Sequence, residues 1–121
     1  MVAVRTKSIY DPEDSDDGIR VLTTNYWPRG VTRERAGTYL RALAPTRDLL
    51  RAFKDGAIGW PEYEVRYLEE MRGEKQLEEI AGLAKTAETG TVTLMCACRD
   101  DAQCHRRLLR ELIEREMESA A

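Results

Sequence analysis

The stretch that decides the fold is "TVTLMCACRDDAQCHRRLLRELIEREM", residues 91–117. Its first part, Thr91 to Cys98, is β-rich and nearly all apolar, as a sheet strand covered on both faces should be. Its second part carries Leu108, Leu109, Leu112, Ile113 and Met117 at helical spacing. Asp100 or Asp101 can cap that helix. A strand running straight into an amphipathic helix points to an α/β architecture.

Working outward from it, "VAVRT" (Val2 to Thr6) and "IRVLTT" (Ile19 to Thr24) read as two further strands. The acidic "DPEDSDDG" between them reads as a loop. "NYWPRG" (Asn25 to Gly30) ends the second strand, because Pro28 and Gly30 disfavour continued pairing. The middle of the chain is helical. Thr32 caps a helix to about Ala42, and Thr46 caps another that carries Leu49, Leu50 and Phe53 and ends near Gly56. Pro61 suits the first turn of a third helix, with Tyr63, Tyr67, Leu68 and Met71 on one side. After Gly73, residues Leu77, Ile80, Leu83 and Ala84 mark a fourth helix that stops near Gly90. The expectation is a single α/β domain over residues 1–121, with three to four mainly parallel strands flanked by about five helices. The link from Thr6 to Ile19 is borderline in length for a parallel crossover.

The 121 residues are enough for one core, and 34% of them are charged, in near balance: 19 basic against 22 acidic, net −3. Such a balance exerts no global pull on nucleic acid or anionic membranes, so recognition of an anion would have to be local. No apolar run approaches the roughly 18 residues of a membrane span, and "MVAVRTKSIY" lacks the apolar stretch of a secretory signal. The chain therefore reads as cytoplasmic, with no membrane partner. Its three cysteines, an odd number, form no disulfide framework and should be thiols or ligands there.

All three cysteines and the one histidine fall between Cys96 and His105. Alternation along an extended strand puts Cys96 and Cys98 on one face, with Cys98 at the strand's C-terminal end, where ligand sites of open α/β sheets lie. The start of the next helix adds a positive dipole end, which favours a thiolate or an anion, although Asp100 and Asp101 oppose it. His105 falls mid-stripe at about 100° per residue, facing the sheet. Cys98 or Cys96 as nucleophile, with His105 as base or hydrogen-bond partner, is thus a coherent catalytic reading. The bland alternative is that the cysteines are small core hydrophobes and His105 a hydrogen-bonded core residue. Cys96, Cys98, Cys104 and His105 are also a legal zinc set. Extended C-x-C geometry, however, holds two sulfurs about 7 Å apart, too far for one ion. A C-x5-R phosphatase loop fails, since the positions six after Cys98 and Cys96 are Cys104 and Ala102.

"DDGIRVLTTNYWPRG" is the second constellation. Arg20 and Arg29 bracket its strand. If that strand lies parallel beside Thr91 to Cys98, Arg29 arrives at the Cys98 edge, where it and Arg106 would hold a phosphate or carboxylate. Trp27 and Tyr26 would wall the pocket. Alternatively Trp27 plugs the core, and Arg106 is a surface charge. The expected ligand is a small, nucleotide-like anion. The same Arg–Trp–Tyr cluster can stack bases of a nucleic acid, but the absence of a Lys/Arg stripe disfavours that partner. Catalysis and simple binding both stay open, and no cofactor is indicated.

"SIYDPEDSDDGIRVLTTNYWPRGVTRE" resembles the N-terminal signature of domain of unknown function 488, whose members carry a similar D-G-x-R-V-L and W-P-R-G. "LAPTRDLLRAF" and "WPEYEVRYLEEM" resemble the same proteins, so the likeness spans nearly the whole chain. "CACRDDAQCHR" resembles another branch's C-x-E-x4-x-C-H-R. Cys96, Cys104, His105 and Arg106 match, while Cys98 stands where that branch tends to have Glu. The resemblance implies a small α/β fold in which Arg20, Trp27, Arg29, Cys96, Cys104, His105 and Arg106 gather in one place. It implies no particular reaction.

Overall fold

The structure is a computed structural model that describes residues 3–98 and 103–120. Four strands, β1 (Val4–Ser8), β2 (Ile19–Leu22), β3 (Thr38–Tyr39) and β4 (Val92–Cys96), form one sheet in the order β1-β4-β2-β3. Every pairing is parallel. The helices are α1 (Arg33–Ala36), α2 (Arg47–Lys54), α3 (Trp60–Glu70), α4 (Glu74–Ala87) and α5 (His105–Ala120). The expected α/β class, parallel sheet and number of helices hold.

β4 lies between β1 and β2 and is buried at every residue, which is why its sequence is apolar without alternation. On one face, Val4, Val21, Val92 and Leu94 pack with Tyr67, Ile80, Leu83, Leu109 and Ile113 from the helices. On the other, Leu22 and Met95 pack with Ile9, Val31 and Ala36. β1 and β2 flank β4 from opposite sides, so the loop over residues 9–18 has only one strand to cross. Asp17 anchors that loop: its buried carboxylate takes Lys7 at 3.0 Å and Arg20 at 3.1 Å.

Several boundaries differ from the sequence reading. β1 starts two residues later than expected, and β2 stops before Thr23. The helix expected from Thr32 to about Ala42 ends at Ala36. Gly37, at φ 68°, turns the chain back so that Thr38 and Tyr39 pair with Val21 and Leu22 as β3. A Cβ there would lie 2.4 Å from the Arg20 carbonyl oxygen, so the turn requires glycine. Leu77 is 54% exposed and takes no part in the core. The cap expected from Asp100 or Asp101 lies outside the described residues. Thr46 does cap α2: its Oγ1 accepts the Leu49 N–H at 3.3 Å. The same hydroxyl donates to Glu70 Oε2 at 2.6 Å, tying the start of α2 to the end of α3.

Candidate functional site

The site forms where β4 ends and α5 begins. β4 stops at Cys96, and a bend at Ala97 follows. Cys98 is therefore not on the strand, which corrects the extended C-x-C geometry assumed from the sequence. The bend brings the sulfurs together instead. Cys96 Sγ and Cys104 Sγ are 2.9 Å apart, and Cys98 is hydrogen-bonded to both thiols. All three are free thiols. Cys96 and Cys104 are buried, and Cys98 is half-buried.

The hydrogen bonds sort the three thiols. Those with Cys104 and Cys96 hold Cys98 far below the ordinary thiol value of 9.0, against the opposing effect of burial, and Arg106 acts in the same direction. Cys104 is pushed up by its hydrogen bonds with Cys96 and Cys98 and by burial. The hydrogen bond with Cys104 lowers Cys96, but the hydrogen bond with Cys98 and burial outweigh it and raise it to about 12. The most accessible of the three sulfurs is thus the one whose thiolate its surroundings favour.

His105 is buried, facing the end of β2 as its place in the helical stripe requires. Its Nε2 lies 2.7 Å from the Thr23 carbonyl oxygen, which can only accept, so Nε2 carries the proton. Thr23 Oγ1, 3.1 Å away, shares that donor. Nδ1 is left with its lone pair toward Cys104 Sγ, at 3.8 Å. Burial lowers the imidazole pKa to about 4, against the supporting Thr23 carbonyl, so the ring is neutral near pH 7. Arg106 is also buried, and its Nη1 donates to the Cys98 carbonyl at 2.7 Å and to Cys96 Sγ at 3.4 Å. It is no surface charge.

A cavity of about 30 Å³, room for a water or two, opens on this cluster. Cys96, Cys98 and His105 line it, with Tyr26, Asn25, Leu50 and Lys54 toward the mouth. Of the residues anticipated, Cys96, Cys98, Cys104, His105, Arg106 and Tyr26 are therefore together. Arg20, Trp27 and Arg29 are not among the lining residues. Arg20 bonds Asp17 and the Arg35 carbonyl on the opposite face of the sheet. The Trp27 indole donates to the Val31 carbonyl at 2.8 Å and meets Tyr39 edge-on. The Arg29 side chain is exposed, while its carbonyl accepts from Tyr10 Oη at 3.3 Å. Sequence reasoning missed Thr23, Asn25 and Lys54. Thr23 had a legible signal, since it continues the β2 register toward Met95. Lys54 had none until α2 was placed.

Fold and site together define a small parallel α/β protein with a cysteine–histidine–arginine cluster at the carboxyl edge of its sheet. The chain belongs to the DUF488-N3a family, described as the active DUF488-N3 subclade, which it matches over residues 4–117. The uncharacterized protein Rv3073c of Mycobacterium tuberculosis is 31% identical over 112 residues, covering 91% of this chain and 92% of that protein. The uncharacterized protein YeaO of Escherichia coli is 27% identical over 104 residues, covering 84% and 89%. No solved structure matches the chain.

Proposed function

We propose that the cluster is a thiolate centre performing transfer or hydrolysis on a small anionic substrate, with Cys98 as nucleophile. The observation that carries this is the gathering of three thiols at the end of β4, Cys98 the most accessible of them, with the buried Arg106 guanidinium against Cys96 Sγ and the Cys98 carbonyl. Arg106 positions Cys98 through its carbonyl and adds positive charge beside the sulfurs. Neutral His105 turns its Nδ1 lone pair toward Cys104 Sγ at 3.8 Å. In the reaction, Cys98 Sγ bonds to the substrate's electrophilic atom, and the leaving group departs with the bonding pair and a proton from solvent. Water or a second acceptor then displaces Sγ, giving up a proton. Lys54 and Tyr26, which line the cavity, meet the anion. Three unpaired thiols support a reducing, cytoplasmic setting.

Alkylation by iodoacetamide at graded pH tests the reading. Cys98 should label fastest, at a rate nearly constant from pH 8 down to pH 6, and Cys98→Ser should abolish the fast phase. If no cysteine outpaces a free thiol near pH 7, the nucleophile is lost.

A metal centre is the second reading, favoured by one observation: donor atoms of Cys96, Cys104 and His105 all lie within 4.8 Å of one another. The Nε2–H bond to the Thr23 carbonyl also fits, because it leaves Nδ1 as the ligand atom. The Arg106 guanidinium against Cys96 Sγ places a cation beside the would-be ion and ranks this second. Stoichiometric zinc in purified protein would reverse the order.

A further inference from the structure

Among the described residues, several cations are held by acids. On α3, α4 and α5 four cations sit one turn from acids: Arg66 with Glu62, Lys75 with Glu79, Arg107 with Glu111, Arg110 with Glu114. On the sheet, Arg5, Lys7 and Arg20 converge on Asp17. On α2, Arg47, Arg51 and Lys54 have no ion pair among the described residues. Their spacing of four and three puts them on one helical face, where like charges repel. In a chain of net charge −3, acids to neutralise them were available. The row instead borders an open groove of about 250 Å³, lined by Arg47, Arg51, Lys54, Leu50, Asn25, Tyr26 and one acid, Asp55.

This groove continues into the thiol cavity, since Asn25, Tyr26, Leu50 and Lys54 line both. The shared wall is held in place. Asn25 Nδ2 donates to the Pro45 carbonyl at 2.9 Å, and its Oδ1 accepts from Arg41 Nη2 at 3.0 Å. Tyr26 stands 44% exposed at the junction, as a ring offering a flat face. Cations in a row beside an exposed aromatic ring match an anionic backbone joined to a flat base. The cations also make their own sequence-independent contribution, through displaced counterions.

We infer that this groove binds a nucleoside phosphate, its phosphate on Arg47, Arg51 and Lys54 and its base against Tyr26. The ligand is a free nucleotide or the phosphorylated end of a single strand, and both present the same chemistry. That it is the substrate of Cys98 rests on the thiolate reading above; that it binds does not.

Titrations with adenosine 5′-monophosphate, with adenosine, and with a short 5′-phosphorylated single-stranded oligonucleotide test this. The expectation is binding of the two phosphorylated probes and not of adenosine. Arg47→Glu/Arg51→Glu should weaken it at least tenfold, and Arg51→Ala should weaken it more modestly. Arg66→Glu, on α3, should leave it unchanged. A strand end as the source would show as tighter oligonucleotide binding, whose logarithmic salt slope falls by about one per cation removed. Equal affinity for the mononucleotide would identify the free nucleotide. Failure of both phosphorylated probes to bind, or undiminished binding by the folded double variant, overturns the groove. Iodoacetamide labelling of the same samples separates the two proposals. An unreactive Cys98 with binding intact removes the nucleophile and leaves the groove. Fast labelling that saturating nucleotide does not slow removes the nucleotide as its substrate.

Discussion

At the residue scale, His105 shows how one side chain is specified by what surrounds it. The ring stacks obliquely near Tyr67, at 5.6 Å between centroids, and donates to Thr23. Burial is the main cause of its lowered pKa of about 4, against a reference of 6.5, with Arg106 lowering it and Cys98 opposing. The unfolded chain therefore binds a proton between those values that the folded chain does not. Stability is complete above pH 6.5 and falls as pH drops from 6.5 toward 4, by about 3 kcal/mol at most. As the chain's only histidine, it alone titrates with that reference value. Urea unfolding at pH 7 and pH 5 should show the loss, and His105→Gln should flatten it. An unchanged slope in that variant would assign the pH dependence elsewhere.

At the element scale, β3 is the least legible piece of the fold. "RERAGTYLRA" has helix formers on both sides of Gly37, and a reading by propensity carries the helix through it. Two residues at the sheet edge, bonded to β2, outweigh that preference because the left-handed turn at Gly37 aims them there. Gly37→Ala should cost more than about 1 kcal/mol, since it meets both a positive φ and the Arg20 carbonyl. Thermal denaturation will check it, and an unaltered midpoint would show that the turn tolerates a side chain. The end of β4 was misread for a related reason. Cys98 continues the β-rich pattern, yet pairing stops at Cys96, so the extended geometry that argued against a common sulfur cluster never applied.

At the scale of the whole molecule, the site is built from the core and not appended to it. Leu108 and Leu109 follow Arg106 on α5 and bury against the sheet, so the packing that holds α5 also seats His105 and Arg106. Leu109, fully buried, should lose about 2–5 kcal/mol on change to Ala. In urea, the variant's thiol reactivity and its helical signal should change in one transition at a lower midpoint. Levelling of the three thiols before the helix signal moves would mark the site as a separately opening unit. Among the described residues no helix is long and apolar enough to cross a membrane.

The sequence by itself determined the α/β class, the covered central strand and the inward side of α5. Each follows from local periodicity or from residues close along the chain. The family likeness was legible too, in W-P-R-G and C-H-R. Only tertiary structure decided that Cys98 bends back onto its neighbours, that Thr23 sets the imidazole tautomer, that Arg20 serves Asp17 instead of the cavity, and that α2 brings Lys54 to its mouth. Those depend on where pairing stops and on which elements meet across long sequence separations. Strand ends and long-range contacts are set by competition among packed neighbours, and no local pattern encodes that competition.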